Sequence, residues 1–167
     1  MSVRPIPEGY HTITPALTCK DAGRAIDFYQ RAFGAKEIVR MAGPNGGVGH
    51  AELQIGDSMF FVSDAFPGMS GPPPEGSLPS SYMFLYVDDV DAAFKKAVDA
   101  GCKTTMPVTD MFWGDRYGKV VDPFGHHWGM ATHKEDVAPE EMERRSVEWM
   151  ANMAKNATKA SKAAGQN

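Results

Sequence analysis

The sequence predicts an α+β domain of two tandem βαβββ modules with an added C-terminal helix. Three observations carry this. The chain repeats itself, because Asp21–Gly34 and Asp89–Gly101 are two copies of one helix-forming pattern. Each copy follows a short apolar run and leads into strand-like sequence, so the repeated unit is strand, helix, strands. The composition then changes after His133, where a Glu-, Lys-, Met- and Ala-rich stretch begins. A duplicated unit implies a pseudo-symmetric domain whose site lies where the halves meet.

The elements follow in order. Residues 1–9 read as an irregular arm. Thr12–Thr18 alternates, with Ile13 and Leu17 on one face, as in a half-buried strand, and Pro15 marks an edge or an interrupted ladder. Asp21 is placed to cap a helix whose Ala22, Ala25, Ile26, Tyr29, Ala32 and Phe33 recur at helical spacing, and Gly34 ends it. Lys36–Met41 and Gly49–Ile55 read as strands joined by a turn at Pro44-Asn45-Gly46-Gly47, and Ser58–Ser63 as a third strand after the turn at Gly56-Asp57. Residues 66–80, rich in Pro, Gly and Ser, connect the halves and are long enough for a lid or for exchange of halves between subunits.

The second unit opens with a strand at Ser81–Val87. Its helix is capped by Asp89, striped with Val90, Ala93, Phe94, Ala97 and Val98, and closed by Gly101. Lys103–Val108, Tyr117–Asp122 and His127–Thr132 follow as strands, with an aromatic loop at Phe112–Arg116 and a turn at Pro123-Phe124-Gly125. In the extension, Met142, Arg145, Ser146, Trp149 and Met153 share one helical face, so Trp149 docks the helix on the body or on a partner. Fraying is expected from Lys155 onward.

Bulk properties exclude several classes. A net charge of -4 argues against a sequence-independent grip on nucleic acid. No apolar run approaches the roughly 20 residues of a membrane span, and the N-terminal stretch lacks the apolar segment of a signal peptide. Two cysteines without close spacing suggest neither a zinc knuckle nor a disulfide framework, so a cytoplasmic location is expected.

The modular pattern, with Arg24-Ala-Ile-Asp-Phe-Tyr29 in the first copy and Asp122-Pro-Phe-Gly-His126 in the second, resembles the vicinal-oxygen-chelate superfamily of glyoxalases, bleomycin-resistance proteins and extradiol dioxygenases. Gly49-His50-Ala51-Glu52-Leu53 followed by Gly56-Asp57-Ser58 is most similar to its PhnB-like branch. The resemblance spans residues 10–133, as modules of about 10–65 and 80–133, and leaves 134–167 as an extension. It implies a curved mixed sheet around a cavity and a homodimer. It also implies one divalent metal per pair of modules, held by His or Glu on the first and last strands of each. Those positions fall at Thr14, Phe61, Tyr82 and Gly129, none a normal ligand for such a metal. No cofactor is therefore expected.

Other residues offer chemistry. If Gly129 faces the cavity, so does His127, a general base or ligand contact, while His126, Trp128 and Met130 face away. The bland reading of His127 is a turn-fixing histidine. His50 and Glu52 share a strand face and are structural or solvent-facing, or else a metal pair with His127 as third ligand. Phe112, Trp113 and Arg116 form an aromatic-cationic cluster suited to stacking on and clamping an anionic ligand. Alternatively, Arg116 pairs with Asp115 or Asp110 and Trp113 fills an interface. Tyr82, Phe84 and Tyr86 alternate, giving one strand an aromatic face that lines the cavity or serves ordinary packing. The leading expectation is a metal-free protein binding a small, partly apolar ligand in an aromatic cavity. The alternatives are a metal-dependent lyase, isomerase or dioxygenase with a non-standard ligand set, and an interaction protein using the C-terminal helix.

Overall fold

The structure, a computed structural model, describes residues 3–43 and 46–164, with side chains through residue 156. Strand β1 (Ala16–Cys19), helix α1 (Ala22–Phe33) and strands β2 (Lys36–Ala42), β3 (Val48–Ile55) and β4 (Ser58–Asp64) form the first module. Strand β5 (Met83–Tyr86), helix α2 (Val90–Ala100) and strands β6 (Lys103–Asp110), β7 (Asp115–Val121) and β8 (His127–His133) form the second. Helix α3 (Pro139–Ala164) follows. Each module builds its own four-stranded mixed sheet, ordered β1-β4-β3-β2 and β5-β8-β7-β6. The first strand of each pairs in parallel with the last, and the other pairings are antiparallel.

The repeat is visible atom by atom. Ala16 lies opposite Phe61 in the first sheet, and Phe84 lies opposite Gly129 in the second. The Asp21 and Asp89 carboxylates cap their helices, each accepting from a backbone N–H three residues on, at 3.0 Å. The first helical N–H of each module donates to the end of its last strand, Ala22 to Asp64 and Val90 to Thr132, both at 2.8 Å. Gly34 stops α1 with φ 69°, a backbone conformation that glycine adopts without strain.

Strand bounds differ from expectation where proline or a bulge intervenes. β1 begins at Ala16 rather than Thr12, since Pro15 has no N–H to give, although its carbonyl still accepts from Phe61 N at 2.8 Å. β5 is trimmed to Met83–Tyr86, and β6 runs on to Asp110 through two irregularities. Pro44 and Asn45 of the expected turn lie outside the described residues, while Gly43 N bonds Gly47 O across its base at 2.7 Å. α3 is helical through Ala164, past the point where fraying is expected. Val98, placed on the apolar stripe of α2, is 37% exposed.

One core joins the modules. α1 packs on α2, and Ile26, Tyr29, Leu53 and Val62 of the first module share a cluster with Val120, Trp128 and Met130 of the second. Trp128 lies 4.3 Å, ring to ring, from Phe33. At the centre of this joint is the Asp122 carboxylate, which is buried. It accepts from the Tyr29 hydroxyl (2.9 Å), Trp128 Nε1 (3.0 Å) and the backbone N–H groups of Phe124 and His126 (2.9 Å each). A buried charge is tolerated when its acceptor sites are filled in this way. His126 adds a second tie, its Nε2 lying 3.1 Å from the Thr18 carbonyl, and burial lowers its pKa. Cys19 and Cys102 are unpaired and buried, and burial pushes both thiols up to about 12. They are therefore protonated core residues rather than nucleophiles.

Candidate functional site

With α1 and α2 packed inward, the opposite face of each sheet is left uncovered by them, and α3 closes part of it on the second sheet, over Tyr117 and Ala131. On the second sheet that face is aromatic. Phe84 and Tyr117 stack with centroids 5.4 Å apart and planes 8° from parallel. Tyr82 lies 6.4 Å from Phe84 on one side, and Tyr86 lies 5.0 Å from it on the other. The Lys119 ammonium sits 4.6 Å above the Tyr82 ring and, among the described residues, pairs with no carboxylate. Burial, then the hydrogen bond with Tyr82, pushes the Tyr117 hydroxyl well above its usual range. Tyr82, Phe84 and Tyr86 remain 46%, 40% and 66% exposed and form the surface of this aromatic shelf, while Tyr117 is buried beneath them.

The shelf occupies the ground of an expected metal position. A Cβ added at Gly129 would come within 3.0 Å of the Tyr117 ring and hydroxyl and 3.1 Å of Phe84. No carboxylate fits there unless both rings move. Thr14 turns its hydroxyl to the His11 carbonyl at 3.3 Å, and Phe61 packs against His50. The residues at the four positions therefore do not fit a divalent metal. His50 and Glu52 do share a face, 3.3 Å apart, but His127 does not complete them. Among the described residues, no three His, Cys, Asp or Glu side chains gather as a metal site.

The remaining candidates separate. Tyr82 and His127 meet in a cleft of about 740 Å³ between the modules, walled by the Pro-rich connection at Pro72–Pro74. Tyr82 and Phe84 also line a second cleft of about 540 Å³, beside the β3–β4 turn. Thr14 and Phe61 line neither. Arg116 is not a free clamp. It grips Asp91 with two hydrogen bonds (2.6 and 2.8 Å) and Asp110 with a third (3.1 Å), so its donors serve the structure. Phe112 and Trp113 are likewise absorbed, because Phe112 packs on Trp149 of α3 at 5.5 Å and Trp113 Nε1 donates to Asp115 at 3.0 Å. Asp115 is buried and also accepts from the Tyr86 hydroxyl (3.1 Å) and pairs with His133 Nδ1 (2.7 Å). Trp149 thus docks α3 on the chain's own body, aided by Arg145 bridging to Glu135 and Glu141.

Sequence reasoning missed Tyr117, Lys119 and Tyr10. The first two stand two apart on β7, and that alternation was the available signal. Tyr10, in the lead to β1, carries no sequence signal for its contact with Glu52.

Comparison with known proteins agrees with this architecture. A profile of the glyoxalase/bleomycin resistance protein/dioxygenase superfamily matches residues 10–130. The uncharacterized protein Rv0887c of Mycobacterium tuberculosis is 40% identical over 136 residues, covering 78% of this chain and 79% of its own length. The crystal structure of the Arabidopsis thaliana At5g48480 product superposes with a TM-score of 0.59 at 35% identity, over 73% of this chain and 98% of that one. The Bacillus cereus PhnB protein superposes with a TM-score of 0.56 at 18% identity, over 73% of this chain and 99% of that one, a likeness of fold. The repeated module, its register and the profile match together place the chain in the glyoxalase/bleomycin resistance protein/dioxygenase superfamily, to which it belongs.

Proposed function

We propose that this protein binds a small, partly apolar, planar ligand on the aromatic shelf of its second sheet and works without a resident metal. The observation that carries this reading is the stack of Tyr117 and Phe84 over Gly129, which puts aromatic surface where the family's enzymes place a carboxylate ligand. Exposed aromatic rings offer stacking area at low conformational cost, and the Lys119 ammonium, which meets no carboxylate among the described residues, offers a partner for an acidic group. A half-open shelf buries only one side of a ligand. A homodimer that covers the shelf would complete the cavity, and the exposure of Tyr82, Phe84 and Tyr86 supports that arrangement.

The test is a titration with 2-naphthoate, which joins a planar apolar ring system to one carboxylate, alongside metal analysis of protein purified without chelator. Saturable binding is expected, weakened about tenfold by Tyr82→Ala or Lys119→Gln. Stoichiometric, tightly held metal would overturn the reading, as would 2-naphthoate binding that neither substitution affects.

A further inference from the structure

The open face of the first sheet holds a cluster that the aromatic shelf does not use. Glu52 of β3 lies opposite Val39 of β2 and Phe61 of β4. The Tyr10 hydroxyl donates to one oxygen of the Glu52 carboxylate, and His50 Nε2 lies 3.3 Å from the other. The His50 and Tyr10 rings lie 4.9 and 6.0 Å from the ring of Phe61. One carboxylate is therefore set among three rings, and it is 22% exposed, within reach of solvent.

Charge and access together set this carboxylate apart, since Asp115 and Asp122 also lack a Lys or Arg among the described residues but are buried. Glu37 is matched by Arg40 at 2.7 Å, and Asp91 and Asp110 by Arg116. Glu52 has a phenol and an imidazole as partners and, among the described residues, no Lys or Arg. The hydrogen bond from Tyr10, then that from His50, holds its carboxyl below the usual carboxylate range, so it is ionised at neutral pH. Each oxygen has accepted one bond and keeps a further lone pair. Aromatic ring faces are electronegative, so this arrangement favours a cation over a neutral group or an anion. A metal ion is poorly served by one carboxylate and one imidazole with no third donor grouped beside them.

We infer that Tyr10, His50, Glu52 and Phe61 form a binding site for a small protonated organic amine, whose N–H donates to Glu52 while its stem lies against Phe61. The site is on the opposite sheet from the Tyr82–Phe84–Tyr117 shelf and stands whether or not that shelf binds 2-naphthoate.

The experiment is a titration of the intact protein with benzylammonium, followed by backbone amide shifts in NMR. Benzyl alcohol serves as the neutral probe of the same ring. Saturable shifts at Tyr10, His50, Glu52 and Phe61 are expected with benzylammonium and not with benzyl alcohol. Glu52→Gln, which keeps the size, removes the charge and leaves one acceptor oxygen for Tyr10 with an amide N–H₂ toward His50, should weaken binding about tenfold, the loss of one charge-assisted bond. Equal response to benzyl alcohol in the unmodified protein would overturn the proposal without any substitution. Equal benzylammonium affinity in Glu52→Gln would overturn it too, as would no shift at these residues at millimolar benzylammonium.

Discussion

At Gly129 the smallest side chain holds the largest consequence. Its missing Cβ is what lets Tyr117 and Phe84 stack over the strand. Gly129→Ala should force the rings apart and cost about 1–3 kcal/mol by overpacking, read as a shift in the urea midpoint. The same variant should weaken 2-naphthoate binding, since the displaced rings form the shelf. Asp122 is the counterpart in the core. Asp122→Asn replaces an acceptor oxygen by an N–H₂ that faces donors, because each carboxylate oxygen already accepts two bonds. A loss of about 2–3 kcal/mol is expected in chemical denaturation, a large part of a domain's stability. At this scale the sequence was partly legible. The alternation Trp128/Gly129/Met130 correctly assigned core and open faces. The partners of Arg116 were not decided until β7 had been placed beside α2 and β6, because an arginine's reach spans more alternatives than its neighbours in sequence can rank.

Among the elements, α3 is tied down by Trp149, by Arg145 and by His133. His133 stands between Asp115 (2.7 Å) and Asp136 (3.0 Å), joining the end of β8 to the segment that leads into α3. The hydrogen bonds to Asp115, then Asp136, raise its pKa above the ordinary value of 6.5. A raised pKa means that the folded state binds the proton more tightly than the unfolded chain. The stabilisation is therefore fully present below pH 6.5 and lost as pH rises through the folded value. His126 acts in the opposite sense. Its pKa is lowered by burial, so folding loses stability as pH falls below 6.5. Comparing stability-against-pH curves for the unmodified protein and His133→Gln isolates the first effect, and the two curves should converge at high pH. Trp149→Ala should speed amide exchange along α3 while leaving the sheets protected, because its contacts with Phe112 and the Met111–Tyr117 cluster are the helix's main apolar hold. The existence of α3 and its docking face were readable from Met142, Arg145, Ser146 and Trp149, all half-buried. Met153, expected on that face, is 51% exposed because the helix runs past the body.

For the molecule as a whole, α1 and α2 bury one face of each sheet, and α3 covers only part of the other face of the second sheet, at Met111, Tyr117 and Ala131. The described residues contain no helix long and apolar enough to cross a membrane. A second copy of the chain is the expected cover for the exposed shelf. Phe84→Glu should shift the sedimentation profile toward monomer if the shelf is covered in this way, while truncation after residue 138 should leave the assembly intact, because Trp149 is spent on its own body. Loss of assembly on truncation would instead favour α3 as the contact.

The duplicated helix pattern, its caps and its strand alternation determined the fold from sequence alone, because these are local rules written twice. Counting along the family resemblance gave Thr14, Phe61, Tyr82 and Gly129 as the expected ligand positions, a matter of residue identity that needs no coordinates. The tertiary structure alone decided which candidates work together. Arg116, Phe112 and Trp113 were drawn into ion pairs and α3 docking, Tyr117 and Lys119 were added to the shelf, and Tyr10 was brought to Glu52. These pairings join residues up to 42 positions apart, and Tyr10 to Glu52 is that longest case. Periodicity assigns a side chain to a face, but packing between elements assigns its partner.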